Sequence, residues 1–146
     1  MPDSEEKLNQ DKAIETLNAA LRLQYRSALQ YSLTAASLRG IEAQAIGSKL
    51  TGFGDDELGD CRLLIEKIVS FDGAPTTEVA ELQYDRGAED AISYLVECEA
   101  EAVDLLQEAI EPTGREGRSE ALEHLLEHLI LRKQQQVDFL RRAVAA

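Results

Sequence analysis

A long amphipathic stretch from Ser119 to Ala143 most constrains how this chain can fold. Its inward positions recur every three or four residues, which at about 100° per residue places them on one side of a helix. Those positions are Leu122, Leu126, Leu129, Lys133, Gln136, Leu140 and Ala143. Two of them are polar, in the middle of a seam where a helical bundle ordinarily has Leu or Ile. Such an interruption indicates either a device that fixes helix register or the remains of a site.

Three further stretches have the same periodicity and predict three more helices. Their expected bounds are Ser4 or Asn9 to Arg39, Ile41 to Phe71, and Glu89 to Ile110. Gly40 is placed to end the first helix, and Ser119 is the expected cap of the fourth. The glycines in the first half of the second helix weaken it, so we expect that half to be irregular.

The segment from Gly73 to about Gly87 is too long for a tight turn between two helices. A helix of about 30 residues is about 45 Å long, and about fifteen extended residues span that distance. We therefore expect a crossover along the bundle, which makes the second and third helices parallel. The sequence predicts an all-α four-helix bundle built from two helical hairpins.

Length and charge limit the domain count and the partners. A chain of 146 residues fits a single domain, which we expect to span residues 10–146 after an N-terminal tail or helix start at residues 1–9. The net charge of −13 argues against nucleic-acid and anionic-membrane partners, because phosphate binding needs a basic face. The acidic start MPDSEEK lacks the features of a secretion signal, so a cytoplasmic location is expected.

Each predicted helix has polar residues in the middle of its inward face, and together they predict one polar core layer. The members are Gln24 in the first helix, Glu57 and Asp60 in the second, Glu99 in the third, and Lys133 and Gln136 in the fourth. Gln24 and Glu57 are 33 positions apart, and Glu99 and Lys133 are 34 apart, which indicates two related hairpins.

This arrangement resembles the ferritin-like superfamily, and within it the bacterioferritin branch, over about residues 10–143. The most specific local similarities are AIETLNAAL, followed by Gln30 and Tyr31, then LIEKIVSFDGAP at Leu64–Pro75 and VDFL at Val137–Leu140. The family's di-iron centre takes one Glu from each of two helices and a Glu-x-x-His pair from each of the other two. The resemblance implies an antiparallel dimer, or a larger homo-oligomer, as the assembly.

Of the six positions that correspond to the family's iron ligands, two have the same residue type in this sequence. Glu57 and Glu99 keep their Glu, whereas Asp60 stands at the position of the first His. The remaining three ligand positions are substituted, by Gln24, Lys133 and Gln136. Leu58 stands where bacterioferritins have the Met that holds haem, so no haem is expected.

A buried Lys needs a partner, and a carboxylate is the usual one. We expect the Lys133 ammonium to replace metal charge and to bridge Glu57 and Glu99 in a non-catalytic core. The alternative is one divalent metal ion, such as iron, held by Glu57, Asp60 and Glu99 in an altered, mononuclear oxidation and storage site of the ferroxidase kind. A purely structural network that fixes helix register is a further interpretation, and an interaction module with an apolar outer patch is a third class of function.

Two other pairs of side chains, two histidines and two cysteines, are candidates for a metal site or a disulfide. His124 and His128 are four residues apart beside Glu120 and Glu127, but period counting puts both on the outer face of the helix. Cys61 and Cys98 lack metal-site spacing, and we expect small buried thiols, with a disulfide as the alternative.

Overall fold

A computed structural model describes residues 9–110 and 117–144, apart from the side chains of residues 42, 43 and 117–119. Four helices account for most of it: α1 Gln10–Ser37, α2 Ile41–Ser70, α3 Ala88–Ile110 and α4 Gly117–Val144. The described ranges contain no strand. The predicted all-α four-helix bundle is therefore confirmed. The expected cap at Ser119 is wrong, because α4 already begins at Gly117 and includes Ser119 in its first turn. Residues 111–116 and residues 1–8 of the N-terminal tail lie outside what is described.

The helix ends follow the local sequence. Asn9 caps α1, since its side-chain oxygen accepts a hydrogen bond from the Lys12 amide at 3.1 Å. Gly40 has a φ of 95°, a conformation that favours glycine, and it separates α1 from α2. At the end of α2 the left-handed residue is Asp72, with φ 61°, rather than the glycine that follows it. Aspartate tolerates this conformation better than most residues.

The expectation of an irregular first half of α2 is wrong. The helix is continuous through its glycines from Ile41 to Ser70. Gly54 explains part of this, because a Cβ atom there would lie 3.2 Å from the Cβ of Tyr31 and 3.4 Å from the Ala28 carbonyl oxygen. The missing side chain lets α1 and α2 approach closely, and such packing outweighs weak helix propensity.

The crossover between α2 and α3 runs along α1. Ala80 donates its amide hydrogen to the Arg22 carbonyl at 3.2 Å. Further along, the Gln83 amide donates to the Gln30 side chain at 3.0 Å, and the Gln30 amide nitrogen donates back to the Gln83 carbonyl at 2.8 Å. The long connection predicted from the sequence is confirmed.

Two apolar clusters lie on either side of the polar layer. One contains residues from the start of α2, the start of α3 and the end of α4, including Leu50, Ile92 and Leu140. The other contains the end of α2, the end of α3 and the start of α4. This grouping makes α2 and α3 parallel, as expected.

The predicted inward face of α4 is buried except at Ala143, which is exposed. The assignment of Ala143 to the inward face is therefore wrong, because the last turn of α4 extends beyond the core.

None of the helices in the described ranges has an apolar stretch long enough to cross a bilayer.

Candidate functional site

The polar layer predicted from the four helices exists, and its members are almost completely buried. Exposure is at most 2% for each of Gln24, Glu57, Asp60, Glu99, Lys133 and Gln136. Each side chain points inward because its helix repeats every 3.6 residues and its apolar neighbours on the same face fill the two clusters above and below.

Lys133 lies at the centre of the layer. Its Nζ is 2.9 Å from Glu57 Oε2, 3.1 Å from Glu57 Oε1 and 3.1 Å from Glu99 Oε1. Burial by itself lowers the pKa of Lys133, but the two carboxylates more than reverse this, so the net pKa is raised and the side chain is an ammonium ion. The predicted bridge between Glu57 and Glu99 is therefore present.

Glu57 receives hydrogen bonds from two helices, α1 and α4. Gln24 donates from Nε2 to Glu57 Oε2 and also to the Glu57 carbonyl oxygen, the latter at 3.0 Å. Burial raises the pKa of the Glu57 carboxyl well above its usual range; Lys133 opposes this shift and the nearby Glu99 adds to it. The Glu57 carboxyl thus keeps a proton to higher pH than an exposed glutamate would.

Glu99 is held from α1 as well as from α4. Ser27 donates from Oγ to Glu99 Oε1 at 2.7 Å, and the Tyr31 hydroxyl donates to Glu99 Oε2 at 3.3 Å. Burial, followed by the charges of Glu99 and Glu57, raises the pKa of Tyr31 well above 10, which keeps its hydroxyl a donor. Sequence reasoning missed Ser27, although it lies three residues after Gln24 on the same side of α1.

Gln136 completes the network between the two carboxylates. With its amide nitrogen turned toward them, it donates to Glu57 Oε1 at 2.5 Å and to Glu99 Oε2 at 2.8 Å. This orientation follows from the surroundings, because the carboxylate oxygens are acceptors only. Each of the four carboxylate oxygens then has two donors, and the Lys133 ammonium supplies three of these contacts.

Asp60 is buried in the layer but has a different partner from the two glutamates. Its Oδ2 lies 2.9 Å from Nε of Arg132, whose Nη1 is 3.6 Å from Asp56 Oδ2. Burial raises the pKa of Asp60, and the Arg132 charge opposes that shift. Arg132 was not singled out in the sequence, because it precedes Lys133 and its position lies about 100° away from the inward face.

The three residues predicted to hold a metal ion thus have different cationic partners. Glu57 and Glu99 share the Lys133 ammonium, whereas Asp60 pairs with Arg132. Across residues 9–110 and 117–144, no three His, Cys, Asp or Glu side chains are grouped as ligands of one ion would be. The arrangement is a buried, hydrogen-bonded network in which one ammonium group contacts two glutamate side chains.

The histidines and cysteines are placed as expected. The side chain of His124 is 82% exposed, and His128 is also exposed, with Nε2 3.1 Å from Nη2 of Arg132. Cys61 and Cys98 are both buried free thiols, so the disulfide alternative is wrong. Burial raises the pKa of Cys61 to about 12, which makes it a poor nucleophile.

Comparison with known proteins agrees with this architecture. Residues 14–145 match the family model described as a ferritin-like domain. A ferritin-like, diiron-carboxylate protein from Bacillus anthracis has a similar structure, with a TM-score of 0.87 and 24% identity over 93% of this chain and 97% of that one. The bacterioferritin-related protein from Bacteroides fragilis, described as a dodecameric thioferritin, has a TM-score of 0.85 and 18% identity over 94% and 87% of the two chains.

No curated protein sequence matches the chain. The family model nevertheless spans almost the whole sequence, from residue 14 to residue 145. The chain therefore belongs to the ferritin-like domain family.

Proposed function

We propose that this protein is a non-catalytic, self-associating ferritin-like subunit in which the Lys133 ammonium takes the place of metal charge. The observation that supports the proposal is the position of Lys133 Nζ, within 3.1 Å of oxygens from both Glu57 and Glu99 at 0% exposure. A positive side chain between two carboxylates stabilises the charge that a bound cation would otherwise balance.

The donor set of the layer does not fit a di-iron centre. Such a centre needs carboxylates from four helices and neutral imidazoles, and an ammonium group has no lone pair to offer a metal. Here the layer contains Lys133 with the two amides of Gln24 and Gln136, and both histidines are exposed on α4.

The alternative is an altered, mononuclear metal site made of Glu57, Asp60 and Glu99, with iron oxidation or storage as its function. It requires the Lys133 ammonium to leave the space between the glutamates, and Asp60 to give up Arg132 at 2.9 Å. A displaced Lys133 ammonium, at 0% exposure, would be a buried charge without a partner, which costs about 3–5 kcal/mol. We propose the metal-free network for this reason.

Aerobic incubation with Fe(II) tests both functions. Bound iron per chain and oxygen uptake are measured on the wild type and on the variant Gln24→Glu, Asp60→His, Lys133→Glu, Gln136→His, which recreates the family's ligand set. The proposal expects no stoichiometric iron and no oxygen uptake in the wild type, and iron binding in the folded quadruple variant. Stoichiometric iron with oxygen consumption in the wild type would instead establish the mononuclear alternative.

We also propose that the protein binds no haem, because the side chain of Leu58 has no atom that can bind iron. It is 48% exposed on α2. Haem added to the purified protein should therefore produce no shifted Soret absorption band.

Self-association is the second part of the proposal. Large apolar side chains are exposed on α1, on α2 and in the crossover that runs along α1: Leu29, Leu58, and Val79, Leu82 and Tyr84. We call these five residues the α1 apolar surface. Exposed apolar surface of this kind is typical of protein interfaces. The dodecamer of the Bacteroides fragilis protein lends further support to assembly from identical subunits.

Light scattering across micromolar concentrations tests this assembly. Leu58→Glu places a charge in the α1 apolar surface and should lower the measured mass toward that of the 16.1 kDa monomer. Leu131→Glu on α4 is the matched control, because Leu131 is 54% exposed but lies outside that surface. A monomeric wild type would contradict self-association, and dissociation by Leu131→Glu alone would assign the interface to α4.

We also propose a cytoplasmic location. The support is chemical: two buried thiols remain unpaired, as is usual for proteins of a reducing compartment.

A further inference from the structure

A small cavity opens between α2 and α4 beside the buried layer. Its volume is about 230 Å³, and Gln136 forms part of its wall. Phe53 and Phe139 form an apolar side, with ring centroids 5.4 Å apart in an edge-to-face arrangement. Pockets for drug-sized ligands usually start at about 300 Å³, so this cavity suits a smaller molecule.

Positive charge dominates the rim of the cavity. Lys49, Arg132 and Arg142 line it, with Asp56 as the one acidic lining residue. Arg132 is held by Asp60 at 2.9 Å and by Asp56 at 3.6 Å, so its charge is largely balanced.

Lys49 and Arg142 have no such balance. No carboxylate among the described residues lies within ion-pair distance of either side chain. Lys49 Nζ instead lies 5.5 Å from the ring centroid of Phe53 and 5.8 Å from that of Phe139, which holds the ammonium at the cavity. Lys49 and Arg142 therefore place two positive charges, without an acidic partner among the described residues, on one small cavity.

We propose that this cavity binds a small tetrahedral oxyanion of the phosphate class. The Lys49 ammonium and the Arg142 guanidinium supply charged donors, and the side-chain amide of Gln135 on the same cavity adds a neutral one. A guanidinium group matches the oxygen spacing of phosphate, and an ammonium acts as a point charge beside it. The aromatic side excludes water from one flank and strengthens these contacts. This site is independent of the iron question, because it uses neither Glu57 nor Glu99.

Titration calorimetry with inorganic phosphate at constant ionic strength tests the proposal. Saturable binding is expected for phosphate and sulfate, with much weaker binding for acetate, which offers only two acceptor oxygens. Lys49→Gln and Arg142→Gln should each weaken phosphate binding about tenfold, because each removes a charge-assisted hydrogen bond. Both side chains are exposed, so the fold should be retained, which circular dichroism checks.

Lys67→Gln is the matched control. Its ammonium also lies over an aromatic ring, 5.9 Å from the centroid of Phe71, but it does not line the cavity. Phosphate binding by Lys67→Gln should equal that of the wild type. The proposal is overturned if phosphate shows no saturable binding, if acetate binds as tightly, or if the cavity variants bind phosphate no more weakly than Lys67→Gln.

Discussion

Replacing Lys133 with Met tests whether the central ammonium holds the bundle together. Methionine nearly matches the length of the lysine stem, so the change removes the charge and leaves little empty space. Glu57 and Glu99 then face each other in the core without the cation that lies about 3 Å from both. We therefore expect the change to lower the free energy of unfolding.

The magnitude can be estimated from the contacts. At about 3 Å and an effective dielectric of about 20, each ion pair is worth about 5 kcal/mol of attraction. Repulsion between the glutamates and the desolvation of three groups offset much of that, and removing one partner of a buried pair typically costs about 3–5 kcal/mol. For a chain of this size, such a loss lowers the melting temperature by about 6–20 °C.

The cost should also depend on pH. Without Lys133, the variant must bury an additional protonated carboxyl group, whereas the unfolded chain ionises its glutamates above about pH 4.3. The folded pKa is then raised above the unfolded one, and stability falls as pH rises. The slope is at most about 1.4 kcal/mol per pH unit for one proton. The difference between variant and wild type should therefore grow from pH 5 to pH 8.

Urea unfolding followed by circular dichroism at several pH values measures this. Lys12→Met, on the exposed first turn of α1, is the control and should change stability by less than about 0.5 kcal/mol. Lys133→Met combined with Glu57→Gln and Glu99→Gln should recover most of the loss, because no buried charge remains. If Lys133→Met is as stable as the wild type at every pH, the charge network does not stabilise the fold.

Three other predictions concern the pKa of Glu57, the close approach of α1 and α2 at Gly54, and the burial of Cys61. Because the folded pKa of Glu57 is raised, its contribution to stability is present below about pH 4.5 and is lost as pH rises through the folded pKa. In urea unfolding, the free energy of unfolding should therefore decline less with rising pH in Glu57→Gln than in the wild type. Equal slopes of stability against pH in the two proteins would contradict the shifted pKa. Gly54→Ala should lower the free energy of unfolding by about 1–3 kcal/mol, since its Cβ would lie 3.2 Å from that of Tyr31. Gly52→Ala, with open space at the same position, should instead raise it by up to about 1 kcal/mol, so equal effects would refute the close approach. Cys61 should react with a thiol reagent only on unfolding, and rapid reaction of the native protein would contradict its burial.

The sequence predicted most of the candidate site because helical periodicity fixes which side chains face inward. Glu57, Glu99 and Lys133 each lie between buried apolar residues at three- and four-residue spacing, so their convergence followed once four helices were recognised. The bridge itself was predictable from charge, since a buried ammonium needs a carboxylate.

Other contacts of the layer could not be predicted from one helix at a time. Ser27 donates to Glu99 and Arg132 pairs with Asp60, and both contacts depend on how far each helix is rotated about its axis. Periodicity gives the inward direction of a face only to within a wide sector, so the residues beside it are left ambiguous.

The sequence by itself determined the four helices, the long crossover and the polar character of the central layer. Their physical cause is local, because it lies in apolar spacing, in the helix-ending glycine Gly40 and in the length of the segment after α2. Only the tertiary structure decided that Asp60 pairs with Arg132 rather than grouping with the other two carboxylates, and that Lys49 and Arg142 share one cavity. Those pairings depend on distances between residues far apart in the chain, and these are set by how closely the helices pack.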